Sequence, residues 1–181
     1  TLAQKQEAFD RLYWRMRKLP EPERLALLND FTAAYGYDLH QQCRELIMDW
    51  QELRQFAGDP LCTIGAHTVH HYELAKLPLE QARNEMIQSV DIIEAQFGIR
   101  PKHFSYPLGG PLSCGPREFE LAAELGFRTA VTTRPGGLYP HHLDKRCQLP
   151  RVSLNGYFQA RRYVDVFASG GLFTQLGRLT G

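Results

Sequence analysis

Two histidines four residues apart, His67 and His71, follow a short apolar run over Leu61–Ala66. Positions i and i+4 share one face of a helical turn, so both imidazoles could bind one metal ion. The apolar run predicts a buried strand, and α/β proteins hold ligands where strands end. Two histidines at this spacing also arise by chance, and the alternative is a pair of hydrogen-bonded histidines at a helix start. The pair by itself therefore indicates a metal site only weakly.

Two neighbours in this stretch, Thr68 and His70, have less direct expected roles. Thr68 is suited to cap the turn or to hydrogen-bond a metal ligand. His70 lies between the two ligand positions, and one face of a turn cannot present all three rings. We therefore expect His70 to face away, in a surface or packing role.

The elements that must position these residues divide into a helical first third and an alternating remainder. The first third predicts three helices, over Ala3–Lys18, from Glu21 to near Gly36, and over Leu39–Phe56 or only its part from Asp49. The remainder alternates strands at Leu61–Ala66, His103–Tyr106, Phe127–Thr132 and Gln148–Leu154 with helices at Leu79–Phe97 and Pro116–Leu125. This alternation is typical of a parallel sheet covered by helices.

Composition limits the class of protein. The 181 residues suffice for one domain with a substantial core. A net charge of +1 lacks the basic excess of a nucleic-acid-binding surface, and no apolar run is long enough to span a membrane. Cys43, Cys62, Cys114 and Cys147 form no Cys-x-x-Cys pair, which favours free thiols. Because Thr1 is neither Met nor part of an apolar signal core, we expect the chain to begin inside a longer gene product, which leaves its compartment open.

Two motifs, in order along the chain, resemble those of one enzyme family. Ile64–His71 resembles the second motif of the polysaccharide deacetylases (NodB-type, carbohydrate esterase family 4), which runs His, Ser or Thr, two free positions, His. Phe104–Gly110 resembles their third motif, a loop with Pro and Gly that lines the active site. The Gly126–Val131 and Leu149–Val152 segments fit as well. The resemblance extends from about residue 48 to about residue 156.

This resemblance implies an α/β fold, a partial and irregular (β/α) barrel formed by one partial domain. In it, residues 1–57 would be a helical elaboration, 58–160 would carry the barrel strands and helices, and 161–181 would be a C-terminal tail. The resemblance also implies that His67 and His71 bind a divalent metal, usually zinc, completed by an Asp and water. Such a metal keeps an open position and polarises an amide carbonyl. The implied activity is hydrolysis of the acetamide of an N-acetylated polysaccharide or oligosaccharide.

The loop over Tyr106–Gly110 belongs to the substrate site by the same resemblance. The backbone N–H of Leu108 would lie near the developing oxyanion, a role that needs no particular side chain. Pro107 and Gly109 would hold the loop open to the substrate, and Tyr106 would either stack on a sugar or pack. The alternative is an ordinary tight turn.

The chain also departs from the family pattern. The Asp-Asp motif that supplies the catalytic base and third ligand is absent, since every Asp is isolated, and we expect it to precede Thr1. Tyr72 stands where the family usually has Pro, and Ser105 stands where many members have an Arg that steers the base. The late Leu-x-His motif with the general acid is not visible. His141 and His142 are the nearest candidates by position, with exposed loop histidines as the alternative.

Two rival functions and two physical expectations follow from these departures. One rival hydrolyses another amide, such as a small cyclic amide or ureide, on the same scaffold. The other is a non-catalytic carbohydrate-binding or scaffold protein that has lost the aspartates. Lacking a base and one ligand, the chain alone is expected to bind metal weakly and to be inactive. Because a truncated parallel sheet exposes an edge and apolar faces, we also expect the chain to self-associate.

Overall fold

A computed structural model describes residues 1–154 and 156–171 of the chain. The chain divides into two compact units, Thr1–Cys62 and Thr63–Gly181. The first unit is helical in its described secondary structure, with α1 (Leu2–Lys18), α2 (Glu21–Ala34), α3 (Leu39–Leu46) and α4 (Trp50–Ala57). No helix in the described ranges is long and apolar enough to cross a membrane.

Local capping explains where the helices of the first unit begin. The Thr1 side chain accepts a hydrogen bond from the Gln4 N–H and so caps α1. The Asp49 side chain accepts hydrogen bonds from the N–H groups of Gln51 and Glu52, which starts α4 as a separate helix. The single helix predicted over residues 39–56 is therefore wrong, and the alternative beginning at Asp49 is confirmed for α4.

The second unit alternates helices with short parallel strands. Its elements are α5 (Leu79–Phe97), β1 (His103–Ser105), α6 (Pro116–Glu124), β2 (Thr129–Val131) and α7 (Arg161–Ala168), with 3₁₀ turns at Leu74–Lys76, Pro140–Asp144 and Arg146–Gln148. α5 ends at Gly98, whose φ of +68° favours glycine, as predicted for the end of this helix.

Within residues 1–154 and 156–171, the sheet has four neighbouring parallel segments in chain order. β1 pairs with β2 in the register His103 to Thr129 and Ser105 to Val131. Single parallel bridges add Ala66 beside β1 and Leu149 beside β2. Parallel strand segments connected by helices, here α5 and α6, are the arrangement found in (β/α) barrels. The predicted α/β fold, a partial and irregular barrel, is confirmed.

The two outer strands are shorter than the sequence predicts. At Leu61–Ala66 only Ala66 pairs, and the predicted strand begins in a turn, in which the Asp59 carboxylate accepts a hydrogen bond from the Leu61 N–H at 2.8 Å. At Gln148–Leu154 only Leu149 forms a bridge, because the next N–H on this side, that of Arg151, donates to the carbonyl of Arg134 beyond β2. Both strand predictions are therefore wrong in extent and correct in place.

The core of the second unit lies between the strands and α5 and α6. Phe104 and Ala130 are buried on the helix-facing side of the sheet, whereas His103 and Ser105 are only partly buried on the other side. Each fully buried large apolar side chain contributes about 1.5–3 kcal/mol. Packing thus holds the strands whose carboxyl ends carry the two motif loops. The hydrophobic core also contains Ala82, Met86, Val90, Phe119, Leu121, Ala122 and Phe127.

Candidate metal centre and substrate loop

The loop over residues 67–71 brings the two predicted metal ligands together. The ring centroids of His67 and His71 lie 4.8 Å apart, and the ring planes cross at 74°. Of the loop and the helical turn expected after the strand, the backbone forms a loop, because Thr68 and His71 have φ values of +64° and +55°. The Thr68 hydroxyl accepts a hydrogen bond from the His71 N–H at 3.1 Å, so the predicted capping role of Thr68 is confirmed. The two rings therefore approach one another across a left-handed turn.

Backbone strain is concentrated in the two motif loops. Among the residues that the structure describes, three non-glycine residues have positive φ: Thr68, His71 and Leu108. The left-handed conformation costs such residues about 1–2 kcal/mol each. Strain of this kind persists only where surrounding structure fixes the backbone, and it clusters at ligand-binding sites.

Hydrogen bonding fixes the tautomer of His67. Its Nδ1 lies 2.5 Å from the carbonyl oxygen of Ser105, the last residue of β1. A carbonyl only accepts, so Nδ1 carries the proton and Nε2 keeps its lone pair. Histidines that bind metals usually have their second nitrogen fixed in this way.

The surroundings of His67 favour its neutral form. Partial removal of the imidazole from water, which disfavours its charged form, is the largest cause that lowers the pKa of His67. Part of the residue remains open to solvent. The bond to Ser105 opposes this effect, and electrostatic interactions with His71 and Arg151 lower the pKa of His67 further. A neutral imidazole is the form that binds a metal.

A buried carboxylate on α5, that of Glu85, holds the middle of the same loop. Glu85 Oε2 accepts hydrogen bonds from the N–H groups of Val69 at 3.1 Å and His70 at 2.9 Å. Glu85 Oε1 lies 2.6 Å from Nδ1 of His70, whose ring stacks on Tyr72. The prediction that His70 faces away in a packing role is confirmed. Glu85 is not among the residues predicted from the sequence, although a Glu in the apolar stripe of an amphipathic helix indicates a buried carboxylate that needs partners.

The second motif loop presents backbone rather than side chains. Tyr106 is 1% exposed and its hydroxyl donates to the carbonyl of Cys147 at 2.7 Å, and Pro107 is also buried. Of the two roles expected for Tyr106, packing is therefore the observed one, and neither buried side chain can touch a sugar. The Leu108 carbonyl accepts from the Thr133 hydroxyl, whereas the Leu108 N–H has no hydrogen-bond partner among the described residues. Gly109 continues the left-handed turn with a φ of +59°.

The late histidines lie at another part of the sheet. The Tyr139 N–H donates to Nδ1 of His142 at 2.9 Å. His142 lines a cavity of about 390 Å³ with His103 and Thr129, the first residues of β1 and β2. His67 instead contacts Ser105, where β1 ends. The structure therefore does not bring His142 together with His67, and His141 stacks on its own neighbour, Tyr139.

The donor set tests whether a metal fits this loop. In residues 1–154 and 156–171, no three His, Cys, Asp or Glu side chains gather into a metal-binding group. His67 and His71 thus provide two nitrogen donors, and the expected carboxylate is not beside them in this part of the chain. Two neutral imidazoles fit two positions of a tetrahedral zinc site.

The fold is similar to several solved deacetylase structures. The deacetylase PplD from Streptococcus pyogenes, in complex with acetate, matches with a TM-score of 0.53 and 20% identity over 59% of this chain and 45% of that chain. The BpsB deacetylase domain from Bordetella bronchiseptica matches with a TM-score of 0.51 and 19% identity, over 57% of this chain and 48% of that chain. IcaB from Ammonifex degensii matches with a TM-score of 0.52 and 22% identity, over 66% of this chain and 52% of that chain. The chain spans about half the length of these structures.

Sequence comparison identifies the family. No curated protein sequence matches the chain significantly. The family model described as polysaccharide deacetylase matches residues 27–130, which is more than half of the 181 residues. The matched range includes both His67 and His71 and the whole Tyr106–Gly110 loop. Together with the parallel sheet and the two motif loops at its carboxyl edge, this match establishes that the chain belongs to the polysaccharide deacetylase family.

Proposed function

We propose that this chain functions in a metal-dependent polysaccharide deacetylase, a hydrolase that cleaves the acetamide of N-acetylated sugar polymers. We propose further that His67 and His71 bind the divalent metal, with zinc as the preferred ion. The observation that carries the proposal is the pairing of these two rings at 4.8 Å in a strained loop. Family membership and the likeness to deacetylase structures support the choice of reaction.

The residues around the metal position have separable roles in this proposal. The bond from His67 Nδ1 to Ser105 leaves Nε2 as the ligand atom and keeps the ring oriented. The lowered pKa of His67 keeps this ring neutral and able to bind. A divalent ion, when bound, supplies Lewis-acid chemistry that polarises a carbonyl and acidifies water.

Oxyanion stabilisation is assigned to the backbone of the second loop. The N–H of Leu108, which has no hydrogen-bond partner in the described part of the chain, is the proposed donor to the negative charge that develops on the acetamide oxygen. Gly109 supports this role because its φ of +59° sets the course of the loop. Arg151 adds a positive charge close enough to His67 to affect its pKa, which favours negative charge at the site.

The chain by itself is proposed to be inactive and to bind metal weakly. The described residues offer two metal donors here, and no carboxylate lies beside them to complete the set or to act as base. A two-ligand site binds zinc less tightly than the three- or four-ligand sites of zinc proteins.

Metal binding to the 181-residue chain tests the ligand assignment. Zn²⁺ affinity is measured by competition with a chromophoric chelator for the chain and for His67→Gln, His71→Gln and, as matched control, His141→Gln. Zn²⁺ affinity is expected to fall about 10-fold or more in each of the first two variants, because each removes a proposed ligand. The control is expected to bind Zn²⁺ as tightly as the parent chain. Equal affinities in all four proteins would refute the assignment.

Acetate release tests the reaction. The 181 residues alone are expected to release no acetate from N-acetylglucosamine oligomers, and clear deacetylation by them would overturn the proposed inactivity. A protein in which this chain is joined to a segment that supplies an Asp-Asp motif is expected to deacetylate the oligomers and to lose this activity in His67→Gln. Hydrolysis of small cyclic amides but not oligomers, or of neither, would contradict the proposed substrate class.

A further inference from the structure

We infer that Glu85 is a positioning residue, which holds the loop between His67 and His71 in the conformation that binds the metal. This inference rests on the proposed function, because it concerns the same metal site. Among the described residues, Glu85 does not form a metal-binding group with His67 and His71. Its carboxylate acts on the two residues between the ligands, Val69 and His70.

The environment of Glu85 makes this contact obligatory. The residue is 6% exposed on the buried face of α5, next to Met86 and one turn before Ser89. A buried carboxylate must be satisfied by hydrogen bonds or by opposite charge. Among the described residues, no Lys or Arg pairs with Glu85, and its partners are the two loop N–H groups and the ring of His70. Within the described part of the chain, the loop therefore supplies the partners of this carboxylate.

The position of these contacts connects them to the ligands. Thr68 and His71, on either side of Val69 and His70, both adopt the left-handed backbone that non-glycine residues avoid. Two charge-assisted hydrogen bonds from the residues between them keep this segment in place. The ring of His70, held by Glu85 and stacked on Tyr72, is also kept out of the ligand position. Without Glu85, we expect the loop to relax and the two ligand rings to separate.

Metal binding by the full 181-residue chain tests the inference, with Zn²⁺ and Co²⁺ as probes. In Glu85→Gln the carboxylate charge is lost with little change in side-chain volume. We expect Zn²⁺ affinity to fall about 10- to 100-fold, the usual effect of removing a residue that orients metal ligands. We also expect the visible absorption spectrum of bound Co²⁺ to change, which a simple loss of stability would not cause.

A matched control separates positioning from general stability. Glu118, on α6, is also buried, and its carboxylate accepts a hydrogen bond from the Gly115 N–H at 2.7 Å. Glu118→Gln is expected to leave Zn²⁺ affinity and the Co²⁺ spectrum as in the parent chain. Equal losses in Glu85→Gln and Glu118→Gln, or no loss in Glu85→Gln, would overturn the inference.

Amide exchange in the metal-free chain distinguishes failure of this inference from failure of the proposed function. The Val69 and His70 N–H groups are expected to exchange faster in Glu85→Gln than in the parent chain and in Glu118→Gln. If the parent chain binds neither ion, the metal proposal fails, and unchanged exchange in Glu85→Gln would overturn the role of Glu85 separately. If Glu85→Gln does not fold, Glu85→Asp replaces it, because the shorter side chain moves the carboxylate away from the loop by one methylene. Amide exchange rates and a Zn²⁺ affinity equal to those of the parent chain in Glu85→Asp would refute the inference.

Discussion

At the scale of single residues, Gly109 occupies a position that other residues cannot adopt without strain. Its φ is +59°, and a Cβ there would lie 2.6 Å from the backbone nitrogen of Thr133. Gly109→Ala is therefore expected to lower the free energy of unfolding by about 2–3 kcal/mol, as for other mutations that force backbone shifts. Urea denaturation measures the change.

The neighbouring glycine provides the control for this prediction. A Cβ on Gly110 would meet no atom within 4 Å, and this residue has no left-handed φ. Gly110→Ala should change the free energy of unfolding by no more than about 0.5 kcal/mol. Similar losses in both variants would argue against the described course of the loop.

Residue-scale packing also predicts which thiols react. Cys43 is exposed and Cys62 partly exposed, whereas Cys114 and Cys147 are buried. Burial raises the pKa of the Cys114 thiol to about 11 and also raises that of Cys147, so both stay protonated and unreactive at pH 8. Alkylation with iodoacetamide followed by mass spectrometry should label Cys43 first. Labelling of Cys114 or Cys147 before the chain unfolds would contradict the described core.

The local parts of the site could be predicted from the sequence, and the distant parts could not. His67, Thr68 and His71 are recognisable because their spacing and types follow one another directly. The contacts that orient them come from Ser105 and Glu85, which lie 38 and 15 to 16 residues away from their partners. The helical period can place Glu85 on the buried face of α5, but it does not report which loop the carboxylate contacts, and the left-handed φ values at non-glycine residues have no sequence signature.

At the scale of elements, helices were predicted more closely than strands. α5 extends over Leu79–Phe97 as predicted, because Pro78 precedes it and Gly98 provides a left-handed end. The outer strands are reduced to single bridges, because pairing depends on the partner segment and on turns such as that of Asp59. An apolar run therefore predicts where a strand lies better than how far it pairs.

Helix α5 also allows a direct test of how its buried face supports the sheet. Met86 on this face is fully buried, whereas Ile92 on the same helix is exposed. Met86→Ala is expected to cost about 2–5 kcal/mol, because it removes buried contacts and leaves a cavity. Ile92→Ala should cost no more than about 0.5 kcal/mol. Urea denaturation of both variants checks this difference, and equal costs would contradict the described orientation of α5.

At the scale of the whole molecule, the outermost sheet segments among the described residues pair through single residues. Ala66 forms the bridge beside β1, and Leu149 forms the bridge beside β2. Open edges of parallel sheets offer unpaired N–H and carbonyl groups to other chains. Large apolar side chains are also exposed in this unit, including Ile99 and Leu112. These features favour association of one chain with another.

The last prediction is therefore that the chain self-associates in a concentration-dependent way. Light scattering should give a mass that rises above the 20.7 kDa of one chain as the concentration increases. Ile99→Lys and Leu112→Lys place a charge in the exposed apolar surface and should shift the mass toward the monomer. Gln88→Lys adds the same charge at an exposed polar position and should have no such effect. A mass of one chain at every concentration would contradict the prediction, whereas equal shifts in all three variants would trace the association to net charge.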